Sequence, residues 1–338
     1  MFPLLNLPEN AIRETIRVMD FGGILALSLT SKRSKQHVSS ARIKAISIGV
    51  RIGEEVSIEV ETSINDRFYV YFPGVQANLT VPKSVIICFD GVENPEEEQE
   101  LDPWKCTILQ YQDWLKHLRE VFNYQCIEFL EFYEGAAQFD LQKIKEVFGK
   151  ADPFFVRHTG CYLYNQLIIR EFFPMKSLSV DTNVFEDSRV PSNILIQNFD
   201  SLLLPEVNET ITMNFNDLLL INAKQIDIIN MHLTPKDLNR FLKLWIKGAN
   251  PRMDYLCIPV AGVVDENELM KGIKHQKLPS DRMRTFSHLG SWEDVTIKGG
   301  FDFYRKDGLK ATINVFNEDG ENLLEMFVWQ ESCVVTEA

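Results

Sequence analysis

The sequence predicts an α/β protein with a small helical head. Three observations carry this. Residues 2–42 hold three short helical patterns. Residues 45–90 switch to a period of two, the mark of half-buried strands. Beyond residue 104, short apolar runs recur every 23 to 28 residues with helical patterns between them.

The head opens at Leu7-Pro8-Glu9. Proline suits a first helical turn, where its missing N–H is no loss. Ile12, Ile16 and Met19 follow at spacings of four and three and share a face. Asp20 can cap a second helix with Ile24, Leu25, Leu27 and Leu29, and Ser31 a third with Lys32, Arg33 and Lys35. Three such helices cannot enclose a core, so their apolar side chains need a partner: the rest of the chain or another protein.

Next come Ile46/Ile48/Val50, Val56/Ile58/Val60 and Phe68/Val70/Phe72, then Val85 to Phe89, divided by turn residues. They predict an antiparallel meander over 45–90. Residues 91–103, with Glu96-Glu97-Glu98 between Pro95 and Pro103, read as an acidic solvated loop.

Over 104–280 helix and strand alternate. Tyr111, Leu115, Leu118 and Phe122 mark an amphipathic helix, and Asp140 and Thr234-Pro235 mark helix starts. The strands centre on Phe129, Phe155, Leu178, Leu203, Ile228 and Leu256. Over 290–330, Asp307-Gly308 and Asp319-Gly320 between apolar runs predict β hairpins.

The chain has 338 residues and a net charge of −13. Residues 1–44 hold seven Lys/Arg against three Asp/Glu, so the body is strongly acidic. That argues against nucleic acid as a partner. No run of eighteen apolar residues predicts a membrane span, and no signal peptide is read. The six cysteines include no CxxC pair and sit largely in apolar runs, as buried thiols do in a cytoplasmic or nuclear protein.

No catalytic constellation emerges. Nucleophile-elbow, phosphate-loop, zinc-protease and dinucleotide motifs are missing, so neither catalytic residues nor a cofactor or metal is predicted. His158 and Cys161 stand three apart without a second pair. Asp302, between Phe301 and Phe303, reads as the outward residue of a strand, and Trp245 as core.

Leu7-Pro8-Glu9, Ile12, Ile16, Met19, Leu25, Ser28-Leu29 and Ser31-Lys32-Arg33 resemble an F-box, with Ser34 where many F-boxes have tryptophan. The strand spacing is similar to that of leucine-rich repeats, most closely at residues 226–234. An ordinary α/β domain with parallel strands needs connections of the same length. Phe215-Asn216-Asp217-Leu218-Leu219, residues 238–245, Asn250-Pro251, residues 303–308 and residues 326–329 look like the F-box-associated type 2 domain, from a large, nematode-expanded family.

The resemblance implies a head at 1–44, a substrate-binding domain at 45–338, and a non-catalytic receptor subunit of an SCF-type cullin–RING ubiquitin ligase. Leu5, Leu7, Pro8, Ile12, Ile16, Met19, Leu25 and Leu29 would meet a Skp-type adaptor, itself bound to the cullin. The body would hold an unknown target protein, with Glu128, Ser179 and Asp227 as outward strand residues. The alternative is a non-ligase interaction scaffold whose head packs on its own body.

Overall fold

The computed structural model describes residues 4–63, 66–73, 79, 85–89, 110–205, 213–229, 231, 233–262, 264–287, 295–318, 320–330 and 334–337. The acidic segment 91–103 lies outside these. The chain is mixed α/β and forms two compact units, residues 1–155 with 159–172, and residues 156–158 with 173–338.

The first unit starts with α1 (Glu9–Arg17), α2 (Phe21–Thr30) and α3 (Lys32–Ser40). The Asp20 carboxylate accepts from the Gly23 N–H at 2.6 Å, and the Ser31 hydroxyl from the Ser34 N–H at 3.0 Å. Each cap satisfies a helix-end donor that the helix itself leaves unpaired.

Strands β1 (Ser47–Ile52), β2 (Val56–Ser63), β3 (Asp66–Phe72) and β4 (Ile86–Phe89) form the antiparallel meander, and β5 (Phe129–Phe132) adds parallel to β1. Period-two alternation puts Ile48, Val50, Ile52, Ile58, Val60, Phe68, Val70 and Phe72 on one buried face. Helix α4 (Tyr111–Val121) packs there, with Tyr111 and Trp114 edge-on to Phe72 at 4.8 and 6.2 Å between ring centroids. On the opposite face the Phe129 ring crosses Gly49, where an added Cβ would lie 2.0 Å from it. Any larger residue there would have to displace the ring.

Helices α5 (Leu141–Phe148) and α6 (Tyr162–Phe172) follow, separated by β6 (Phe154–Val156), within which the chain leaves the first unit. Asp140 caps α5, and Gly149, at φ 77°, ends it.

In the second unit, β7 (Ser177–Val180), β8 (Ser201–Leu204), β9 (Gln225–Ile228) and β10 (Tyr255–Val260) pair in parallel. Between them run α7 (Ser192–Leu195), α8 (Phe215–Leu220) and α9 (Pro235–Ile246). Capping boxes start α8 at Asn214/Asp217 and α9 at Thr234/Asp237. Leu178, Leu202, Ile226 and Leu256 stand abreast on the buried face. The strand entries are laced together: the Asp200 N–H donates to the Lys176 carbonyl, Gln225 to Asp200, and Asp254 to Lys224. Alongside, the Asn222 amide donates to the Asn198 side chain at 2.7 Å.

After α10 (Glu266–Leu269) the order becomes antiparallel. Strands β11 (His275–Phe286), β12 (Val295–Tyr304), β13 (Lys310–Glu318) and β14 (Glu321–Val328) form a meander that joins the parallel group through β14 on β10. Strand β15 (Val334–Glu337) pairs with β11. Gly308 and Gly320, both at φ 92°, make the two predicted hairpin turns. Strand β11 was not expected, and it starts at 275, ahead of the predicted hairpin region. Its register shift between Leu278 and Met283 interrupts the alternation that would mark it.

Asp302 faces inward, contrary to the expectation, and is 5% exposed. Arg284 pairs with it at 2.9 Å, Lys310 at 2.8 Å, and the Thr312 hydroxyl donates to it at 2.6 Å. Burial alone would raise its pKa, but the hydrogen bonds from Lys310 and Thr312 and the Arg284 charge hold it below the usual carboxylate range. Trp245 is buried core, edge-on to Phe303.

Candidate functional site

Two surfaces are candidates, one in each unit. The first is the helical head. Of its eight predicted contact residues, Ile12, Ile16 and Leu25 are fully buried by the chain itself. Leu5, Leu7, Met19 and Leu29 are half-buried and Pro8 is exposed. Val18, outside the predicted set, is 84% exposed.

The head is fastened to α4 and the residues after it. The Ser28 hydroxyl donates to the Leu25 carbonyl at 2.6 Å and lies 2.7 Å from His117 Nε2. A hydroxyl has one proton, so His117 must be the donor of the second bond, through Nε2–H. Burial, then the nearby Lys35 charge, push the His117 pKa down to about 4, which keeps the ring neutral. Lys35 pairs with Glu120 at 2.5 Å. The Asn123 amide donates to the carbonyls of Ser39 and Ile43, and Phe21 approaches Phe122 at 6.3 Å. None of these long-range links could be read from spacing.

The second candidate is the sheet face of the second unit that lies opposite its buried core. Strand register sets Ser179, Leu203, Asp227, Cys257, Glu325 and Asn314 in one cross-strand row. Ser179 and Asp227, predicted as outward residues, share this row. Ser179 is nevertheless 3% exposed, next to Arg157, which binds Asp181. Glu128 is in the first unit and accepts from the Tyr124 hydroxyl.

Asp227 is half-buried. Burial, with a smaller contribution from the Glu325 charge, pushes its pKa up to about 6. The Tyr255 hydroxyl donates to Glu325 at 2.7 Å. Two residues along the strands, on the same face, Tyr255 and Phe327 pack under Phe286, Ile297 and Trp329, which wall one side of the row. Glu325, Cys257 and Tyr255 were not predicted. Their nearness to Asp227 depends on β14 pairing with β10, a contact some seventy residues long in sequence. Among the described residues, no group of three His, Cys, Asp or Glu is placed to hold a metal, and no helix is long and apolar enough to cross a membrane.

Residues 190–258 match the model of the family described as F-box associated, and the chain carries an F-box-associated domain there. The segment runs from α7 into β10 and supplies Leu203, Asp227 and Cys257 to the row. No curated protein and no solved structure matches the chain.

Proposed function

We propose that this chain is the substrate-recognition subunit of an SCF-type cullin–RING ubiquitin ligase. The observation that carries the reading is the F-box-associated segment at 190–258, in a chain that opens with three helices beginning Leu7-Pro8-Glu9. The chain itself performs no chemistry. Its head docks on a Skp-type adaptor, which links it to the cullin, and the second unit holds a target protein for ubiquitin transfer by other subunits. The work is done in the cytoplasm or nucleus.

In this reading Leu5, Leu7, Pro8, Met19 and Leu29 form the docking surface, while Ile12, Ile16 and Leu25 keep the helices in place beneath it. Burying one leucine is worth about 1.5–3 kcal/mol, so a few of these residues suffice to dominate the interface. The strand-entry hydrogen bonds repeating at Lys176, Asp200 and Lys224 support a repeat-like, leucine-rich-repeat-type stack in the second unit.

The test is co-purification with a Skp-type adaptor. Wild type binds; Leu7→Asp/Met19→Asp, still folded by circular dichroism, does not. If wild type fails to bind, the ligase reading falls.

The packing of the head on α4 favours a second reading, a non-ligase scaffold whose head serves its own body. A fragment spanning residues 45–338 separates the two. If the head is chiefly an adaptor module, the fragment stays soluble and folded. If the head is structural cover, loss of the Ser28–His117 and Lys35–Glu120 links and exposure of Phe122 make it aggregate.

A further inference from the structure

We propose that the outer face of α9, carrying Lys236, Arg240, Lys243 and Lys247, docks a short acidic segment of the target protein. This rests on the reading of the second unit as the part that holds the target.

The four cations follow one another at spacings of four, three and four, the last at the helix cap. At about 100° per residue they fall within an arc of about 60° and make one stripe. Lys236, Arg240 and Lys247 are exposed and Lys243 is half-buried, while Leu238, Phe241, Leu242 and Trp245 are buried in the core. The stripe is about 16 Å long at about 1.5 Å per residue. An extended segment of about five or six residues covers that length. The Arg240 guanidinium lies over the Phe215 ring of α8 at 4.7 Å, which orients it without occupying its hydrogen-bond donors. On the other flank the Asn239 amide donates to the carbonyls of Leu269 and Lys271 at 2.7 and 3.0 Å, which brings the exposed Lys271 alongside α9. The whole of α9 lies within the F-box-associated segment 190–258.

Charge then selects the occupant. Ordinary helix electrostatics account for only part of the stripe. Lys243 and Lys247 stand at the C-terminal end, where the helix dipole favours cations. Lys236 stands in the first turn, where the dipole opposes them, and like charges four apart repel each other. None of the four forms an ion pair among the described residues. The acidic groups of the neighbouring helices are engaged elsewhere: Asp217 and Asp237 close the capping boxes of α8 and α9, Asp265 caps α10, and Glu266 pairs with Lys277. Glu268 is the one carboxylate of α8, α9 and α10 not so engaged. A row of carboxylates from the target would supply the charge-assisted hydrogen bonds that the chain does not provide. The chain as a whole carries a net charge of −13. A polynucleotide would carry its phosphates past the stripe onto acidic surface, whereas a short peptide presents its carboxylates to the stripe alone.

The test uses the full chain and fluorescein-labelled octaglutamate, followed by anisotropy at low salt. Wild type binds, and Lys236→Gln/Arg240→Gln/Lys247→Gln, with an unchanged circular dichroism spectrum, binds at least tenfold more weakly. Lys44→Gln/Lys116→Gln/Lys150→Gln removes the same charge from exposed positions of the first unit and weakens binding less than twofold. Lysine acetylation by sulfosuccinimidyl acetate, followed by peptide mass spectrometry, locates the probe on wild type: octaglutamate slows the reaction of Lys236 and Lys247 at least threefold and leaves that of Lys116 unchanged. The proposal is overturned if wild type does not bind, if both triple variants weaken binding equally, if octaglutamate leaves the Lys236 and Lys247 rates unaltered, or if octauridylate binds wild type as tightly as octaglutamate. Adaptor co-purification is independent of these readings. A chain that binds the peptide but no adaptor keeps this surface and loses the ligase assignment; one that binds the adaptor but no peptide keeps the assignment and loses this surface.

Discussion

Asparagine in place of Asp227 should make the protein more stable, and the gain should depend on pH in a defined way. In the folded chain the carboxyl group titrates at about 6 rather than at its ordinary 3.8, chiefly because of burial. Each pKa unit corresponds to about 1.4 kcal/mol, so a shift of roughly two units sets an upper bound near 3 kcal/mol for holding the charge in place. Partial exposure lets water screen part of this, leaving about 1–2 kcal/mol at pH 7.5. The folded pKa lies above the unfolded one, so the folded state holds its proton over a range where the unfolded state has lost it. Stability contributed by that proton is fully present below about pH 4 and is lost as pH rises to about 6. Asp227→Asn cannot titrate. Its advantage should be full at pH 7.5, shrink below 6 and nearly vanish near 4. Urea unfolding of wild type and variant, followed by circular dichroism across this range, measures it. A variant less stable than wild type at pH 7.5, or one whose advantage is unchanged near pH 4, would refute the reasoning.

Two further outcomes follow from buried polar groups. Asp302→Ala strands the buried Arg284 guanidinium and should cost about 3–5 kcal/mol, read as a lowered urea midpoint. Ser28→Ala leaves His117 Nε2–H without an acceptor and should cost about 1–3 kcal/mol, while Ser28→Ala/His117→Leu should recover part of that, because an apolar pair leaves no orphaned donor.

The sequence revealed what is local. Alternation marked β1 to β3, the spacing of Tyr111, Leu115 and Leu118 marked α4, and Thr234-Pro235 marked the start of α9. Asp-Gly marked the hairpins, because that pair supplies the positive φ a tight turn needs. What could not be read is what depends on partners distant in the chain. Asp302 sits between two phenylalanines and alternation alone would turn it outward. Arg284 and Lys310 arrive from neighbouring strands and make its burial tolerable. Ile12 and Leu25 look like surface awaiting a protein partner, yet both are buried within the chain. Asp227 was expected to face outward and is half-buried; its neighbours Cys257 and Glu325 depend on which strand follows β10 in the sheet, and no local signal specifies that order.

On the proposed reading, the laced strand entries bear on how such a protein would come to hold a different target. Lys176, Asp200 and Lys224 offer main-chain carbonyls, and Asp200, Gln225 and Asp254 offer main-chain N–H groups, so the lateral step from strand to strand is fixed by atoms every residue possesses. The half-buried side chains along the row, such as Leu203 and Asp227, could then be exchanged on a lattice that stays still. A lineage could exchange a carboxylate for an amide or an arginine there and redirect recognition, with the scaffold contributing spacing and the substitutions contributing meaning.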